Sequence, residues 1–269
     1  MLLKGEISMR HNILLWFLVL LFTSTTTKAI EVVDVELQLL IDISGSVNSN
    51  EYQLQMNGYK AAFESSNVQN AIINGTNGKI AVQLIMWSGS SQQEVMIDWT
   101  LIDSPSASDA FASSIDMLAR PFSGMTAIGS AINYGYTHFE NNGFQGLAQV
   151  MDVSGDGTNN SGMSPEDARD NAIDAGVDKI NGIVITSNQK VIDEYENKVV
   201  AGDNAFLLAP ATFDDFQSAI EVKIASEIEG VAPLGNVIVS IPEPNSIVLF
   251  LTAFSFVIYR KHKIIKELL

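Results

Sequence analysis

LQLLIDISGSVNS, residues 37–49, decides how the rest of the chain is read. An apolar run ends at Asp42. Ser44 and Ser46 follow at alternate positions, with Gly45 between them. Upstream, VDVELQLLIDI (33–43) first alternates and then becomes continuously apolar, which predicts a central strand buried on both faces. Two readings fit its polar end. The serines could cap a following helix, or the three oxygen-bearing side chains could hold a divalent cation.

The remaining pattern predicts an α/β domain. Asn50 and Gln53 form a capping-box-like helix start, and Tyr52, Met56, Tyr59 and Phe63 mark one face of that helix. KIAVQLIMWS (79–88) and QEVMIDW (93–99), separated by Gly89-Ser90-Ser91, predict a hairpin. Two amphipathic segments follow. SASDAFASSIDMLAR (106–120) places Ala110, Phe111, Ile115 and Leu118 inward, and TAIGSAINYGYTHFE (126–140) places Ile128, Ile132, Gly135 and Phe139 along one side. LAQVMDV (147–153), INGIVIT (180–186) and AFLLAP (205–210) read as strands. Residues 164–176, 191–200 and 212–228 read as helices. Strands alternating with helices after one early hairpin predict a doubly wound, Rossmann-like, mostly parallel sheet. It carries one antiparallel edge strand and helices on both faces.

Composition bounds the function. The 269-residue chain is 46% hydrophobic and 17% charged, so it is not a disordered composition. Its formal net charge is −16, and residues 30–241 hold eight Lys or Arg against 28 Asp or Glu. Such a domain repels nucleic acid and anionic membrane surfaces and tolerates divalent cations. With no cysteine, disulfides, thiolate metal sites and cysteine nucleophiles are excluded. His138 is the one imidazole outside the terminal segments, and it sits in a helical pattern.

Both ends read as sorting signals. Residues 1–29 read as a signal peptide: Arg10 and His11, a ten-residue apolar run from Ile13 to Phe22, then a small-residue site at Thr27-Lys28-Ala29. An uncleaved anchor is the alternative, and Met9 an alternative start. At the other end Pro242-Glu243-Pro244 precedes an apolar span at about 245–259 and the basic cluster Arg260, Lys261, His262, Lys263. Residues 242–269 resemble the bacterial PEP-CTERM sorting signal. The resemblance implies export, a basic end left in the cytoplasm and removal of the span by an exosortase-type enzyme. A plain membrane anchor is the alternative. The division is then signal peptide 1–29, domain 30–229, linker 230–241 and sorting signal 242–269, with the membrane touched only through the terminal segments.

Within the domain, two further loops should emerge beside Asp42. FSGMTAIGS carries Thr126, and MDVSGDGTNN carries Asp156. Asp42, Ser44, Ser46, Thr126 and Asp156 offer only oxygen, which suits a hard divalent cation. Two carboxylates balance its charge, and the neutral hydroxyls leave room for an anionic ligand at an open coordination position. Asp42-Ile43-Ser44-Gly45-Ser46, followed by Thr126 and Asp156 in chain order, resembles the metal-ion-dependent adhesion site of von Willebrand factor type A (VWA) domains. The stretches DISGSV, MWSG, WTLID, RPFSGMTAIGSAI, MDVSGDGTNN and the Tyr-x-x-x-Val-Val-x-Gly-x-x-Ala-Phe of YENKVVAGDNAF (195–206) resemble a bacterial VWA-like family of unknown function.

That resemblance implies a VWA-type fold and a Mg²⁺ (or Mn²⁺ or Ca²⁺) ion with those five residues around it. It also implies a partner carboxylate completing the metal shell. Asp156, which precedes Gly157, is aligned with the third-loop aspartate, and Asp152 is the alternative. The functional expectation is a noncatalytic, exported binding module for acidic groups on a protein or matrix polymer of the cell envelope. A metal-stabilised structural subunit is one alternative, and a metal-dependent hydrolase another. No GxSxG, HExxH or P-loop is present. Asp152-x-Ser154-x-Asp156-Gly157 imitates an EF-hand start, but its twelfth position is Met163. Trp87 and Trp99 fit either core packing or an exposed rim.

Overall fold

A computed structural model describes residues 30–233 and the backbone of residues 238–240. The two terminal segments expected to be sorting signals lie outside the described residues, and no helix among the described residues is long and apolar enough to cross a membrane.

β1 (Glu31–Asp42) is the central strand, and Val33 to Ile43 are buried on both faces as the apolar run requires. It pairs in parallel with β2 (Ile80–Trp87) on one side and β4 (Phe144–Gly155) on the other. β3 (Gln93–Ile102) returns antiparallel to β2 and forms one edge, as the hairpin predicts. Beyond β4 lie β5 (Lys179–Val184) and β7 (Phe206–Leu208), both parallel. The two-residue β6 (Ala201–Gly202) pairs antiparallel with β5. The order is β3-β2-β1-β4-β5-β7, followed by β8 (Ile238–Ser240), which pairs antiparallel with β7. The stretch expected as linker thus adds a second antiparallel edge.

Alternation along β1 divides the core. Leu37, Leu39 and Ile41 face α1 (Ser49–Glu64), α2 (Ser66–Ile73), α3 (Pro105–Asp116) and α7 (Phe213–Glu229), where Tyr59, Phe63, Phe111, Phe216 and Ile220 meet them. Leu40, with Met151 and Val153 of β4, faces α4 (Ile128–Tyr136), α5 (Pro165–Asp174) and α6 (Gln189–Lys198). A Cβ at Gly58 would stand 2.7 Å from Phe216 Cδ1, so glycine there lets α1 and α7 touch.

Two local expectations are corrected. The α1 capping box is Asn48 with Glu51, not Asn50 with Gln53; the Asn48 side chain accepts from the Glu51 N–H while Glu51 accepts from the Asn48 N–H. Ala110 is exposed: the buried face of α3 carries the expected Phe111 and Ile115 together with Ser108 and Ala112, and the helix ends at Asp116. α2 has no counterpart in the sequence reading. Trp87 is wholly buried in the core, and Trp99, partly buried, packs against the core on Phe139 and donates to the His138 carbonyl at 2.9 Å.

Connections leave β1 in opposite directions: β2 follows it on one side, and β4 joins on the other. The C-terminal ends of β1 and β4 therefore flank a topological switch point, where open α/β sheets bind ligands. In register, Ile41 stands beside Ser154, so Asp42 and Gly155 end their strands side by side.

Candidate metal centre

Three loops meet at this rim. The first leaves β1 at Asp42 and turns through Ser44 and Ser46 into α1. The second, residues 117–127, runs from α3 to α4 and carries Thr126. The third leaves β4 at Gly155 and carries Asp156.

All five expected oxygen donors come together. Ser44 Oγ is 3.1 Å from Ser46 Oγ, Thr126 Oγ1 reaches Ser44 Oγ at 3.4 Å, and Ser46 Oγ donates to Asp156 Oδ1 at 2.6 Å. Asp42 Oδ1 accepts from the Ser44 N–H at 2.7 Å. Asp42 and Ser44 are fully buried and Thr126 nearly so, whereas Ser46 is exposed and Asp156 half-buried. The arrangement is a buried floor with an open lip.

Electrostatics mark the floor as incomplete. Asp42 Oδ2 is buried without a hydrogen-bond partner. Burial first, and then the nearby Asp156 carboxylate, push the Asp42 pKa up to about 7, against the lowering pull of the Ser44 hydrogen bonds and of Arg120. Burial also raises the Asp156 pKa, and Glu51 adds to that. A buried unpaired carboxylate oxygen is costly unless a cation or proton meets it.

Side chains of no assigned role in the sequence reading build the frame. Gln55 Nε2 donates to the Asp42 carbonyl at 3.0 Å. Asn160 Oδ1 accepts from the Thr126 N–H at 2.9 Å, and its own N–H returns a 2.9 Å bond to the Thr126 carbonyl, joining the second loop to the third. Tyr195 of α6 closes the inner side: a Cβ on Gly155 would lie 2.2 Å from its hydroxyl and 3.0 Å from Asp42 Oδ2. Asn160 and Tyr195 stand in MDVSGDGTNN and YENKVV, two of the stretches that carry the family resemblance, and that was the available signal.

Asp152, the alternative third-loop residue, points away. It is fully buried on the α7 side, where Lys223 Nζ stands 2.7 Å from its Oδ1, a charge contact off the hydrogen-bonding direction. Lys223 also donates to Glu227 Oε1, which Asn181 Nδ2 reaches at 3.0 Å. One ammonium serves two buried carboxylates, and burial pushes the Glu227 pKa up to about 7.

A cleft of about 430 Å³ runs from Asp156 between Glu51 and Leu54 on one side and Thr212, Phe213 and Asp214 on the other. A slightly larger cleft, about 470 Å³, lies at the opposite end of the strands near Asp34, Lys179 and Gly230, away from the five oxygens. Among the described residues no group of three His, Cys, Asp or Glu is gathered; the centre is two carboxylates with three hydroxyls, a hard-ion donor set.

The chain matches the model of the family described as "Protein of unknown function (DUF1194)" over residues 31–232. It belongs to that family. No curated protein matches this DUF1194 chain in sequence. Among solved structures it is similar to proximal thread matrix protein 1 from the mussel byssus, at 16% identity and a TM-score of 0.55 over 72% of the chain. A second structure of that mussel protein, at 18% identity and TM-score 0.55, has a zinc-occupied MIDAS motif. It is also similar to the pilus adhesin SpaC of Lactobacillus rhamnosus GG, at 15% identity and TM-score 0.54 over 73% of the chain. The DUF1194 chain spans about half the mussel protein (48%) and 30% of the adhesin. These likenesses show the fold: a VWA-like, Rossmann-type α/β domain.

Proposed function

We propose that this domain is a noncatalytic binding module whose rim holds a divalent cation, and that the cation grips a carboxylate of a partner. Asp42, Ser44, Ser46, Thr126 and Asp156 would hold the ion, directly or through water, and the ion would supply the Lewis-acid contact to the incoming carboxylate. The observation that carries this reading is the convergence of five oxygens from three loops on a floor where Asp42 Oδ2 is buried and unpartnered. The donor set favours a hard ion such as Mg²⁺, with Mn²⁺ or Ca²⁺ as close substitutes. The zinc-occupied MIDAS motif of the mussel protein supports a divalent ion at this place in the fold.

The noncatalytic assignment rests on what surrounds the oxygens. The imidazole of the described residues, His138, lies beyond the C-terminal end of α4, against Tyr134, whereas Thr126 precedes the N-terminal end. It is not available as a base to a serine of the first loop. Export and an envelope or matrix setting are supported by the two terminal signals, with an exosortase-type enzyme acting on the second. The matrix and adhesin settings named for the structural neighbours agree with that setting.

Titration calorimetry with Mg²⁺ and Mn²⁺ tests the proposal, using Asp42→Ala and Asp156→Ala as controls, followed by capture from envelope extract with and without EDTA. Binding lost in both variants, and capture lost in EDTA, are the expected results. Equal metal affinity in wild type and both variants would refute the site. Capture indifferent to EDTA, with a drop in melting temperature, would make the ion structural only.

A further inference from the structure

Arg120 lies in the second loop, four residues beyond the end of α3, and its side chain is half-buried. Nη1 donates to the Val47 carbonyl at 2.7 Å. Nη2 donates to the carbonyls of Ile43 (2.5 Å) and Ser44 (2.6 Å) and to Ser123 Oγ (3.1 Å), and Nε reaches the Ile43 and Phe122 carbonyls, each at 3.2 Å. Three of the five acceptors are main-chain carbonyls of the first loop, bracketing Ser44 and Ser46. The other two belong to the loop that carries Thr126.

The chemistry of this contact is specific to a guanidinium. Past the end of β1, the Ile43 N–H still pairs with the Trp87 carbonyl and the Val47 N–H with that of Ser44, but the carbonyls of Ile43, Ser44 and Val47 all converge on the one guanidinium. Converging carbonyl dipoles repel unless a cation sits among them. A planar, permanently charged fork with five N–H donors and no acceptor satisfies several at once, which a single ammonium cannot span. Besides the 3.4 Å contact of Thr126 Oγ1 with Ser44 Oγ, the two loops share a main-chain bond, Gly45 N–H to the Gly124 carbonyl at 2.8 Å, at a spacing where a Cβ on Gly45 would already press on that carbonyl at 3.2 Å. With its carbonyls held by Arg120, the first loop presents its serine hydroxyls to the opposite side, where Asp156 and Thr126 wait.

We propose that Arg120 is the positioning residue of the metal centre: it clamps the first loop against the second so that Ser44, Ser46 and Thr126 are in ligating geometry before the ion arrives. This rests on the metal-binding reading above but makes a separate claim, because Arg120 would touch neither ion nor partner.

The test is Mn²⁺ titration of the full-length wild type, Arg120→Lys and Arg120→Ala, with melting temperatures in EDTA and in saturating Mn²⁺. Removing groups that orient metal ligands typically costs 10–100-fold in affinity. Both variants should weaken Mn²⁺ binding by about that factor, and the rise in melting temperature on adding Mn²⁺ should shrink. Lysine, though it keeps the charge, should not rescue. Should Arg120→Ala fail to fold, Arg120→Lys decides. Affinities within about twofold of wild type, with equal losses of melting temperature in EDTA and in Mn²⁺, would make Arg120 a fold-stabilising residue and overturn the inference while leaving the metal site standing. Absence of Mn²⁺ binding by the wild type would overturn both.

Discussion

Asp42→Asn should make the metal-free protein more stable at alkaline pH while abolishing its response to metal. Asp42 is fully buried, one carboxylate oxygen accepts from the Ser44 N–H, and the other has no partner. Its pKa in the fold is about 7, against 3.8 for an ordinary aspartate. The native state therefore holds the proton more tightly than the unfolded chain does. This group's contribution is fully present below about pH 4 and is lost as pH rises through about 7. A gap of about three pH units at about 1.4 kcal/mol each puts the cost of ionising Asp42 near 4 kcal/mol at pH 8.

Asparagine is neutral at every pH and keeps an acceptor for Ser44. Its new amide N–H group takes the place of the unpartnered oxygen and returns about 1–3 kcal/mol of that gain. Urea denaturation in EDTA at pH 8 should find Asp42→Asn more stable than wild type by about 2 kcal/mol, with the gap closing toward pH 5. Mg²⁺ at about a hundred times its Kd should add about 2.7 kcal/mol to the wild type and nothing to the variant. A variant less stable than wild type at pH 8 in EDTA, or a gap that does not vary with pH, would refute the reasoning.

Elsewhere, Lys223→Met should cost about 3–5 kcal/mol at pH 8, because two buried carboxylates lose their one counter-charge. The loss should be smaller at pH 5, where Glu227, its pKa pushed up to about 7 by burial, takes up a proton, and denaturation midpoints at the two pH values check this. Gly155→Ala drives a methyl group into the Tyr195 hydroxyl and should destabilise the fold by about 1–3 kcal/mol; adding Tyr195→Phe should recover part of it, and an unchanged melting curve for the single variant would contradict the packing described. Asn160→Ala removes the acceptor for the Thr126 N–H and should weaken Mn²⁺ binding about tenfold. Calorimetry showing undiminished affinity would separate the third loop's frame from the site.

What the sequence made legible was whatever repeats locally or is carried by oxygen chemistry. The apolar run before Asp42 reads as a strand buried on both faces because both faces must be apolar. The Gly-Ser-Ser hairpin, and the serine, threonine and aspartate of three loops, were open to the same reasoning. Contacts that leave no local period stayed hidden. Arg120 acts on main-chain carbonyls more than 70 residues away, and a carbonyl carries no sequence signal. Lys223 reads as an ordinary solvated charge on an amphipathic helix, yet its partner Asp152 lies on a distant strand. Asp152 and Asp156 are both acidic and only four residues apart. The pleat of β4, which turns Asp152 toward α7, is what separates their roles. α2 was too short, at eight residues, for a helical period to emerge.

The most direct measurement is an anomalous difference map from crystals of this protein grown with Mn²⁺. A single peak at about 2.0–2.4 Å from hydroxyl oxygens of Ser44, Ser46 or Thr126, with Asp42 and Asp156 bonded directly or through one water, is the predicted result. A rim without a peak at saturating Mn²⁺, or a peak held by other residues, would contradict the account.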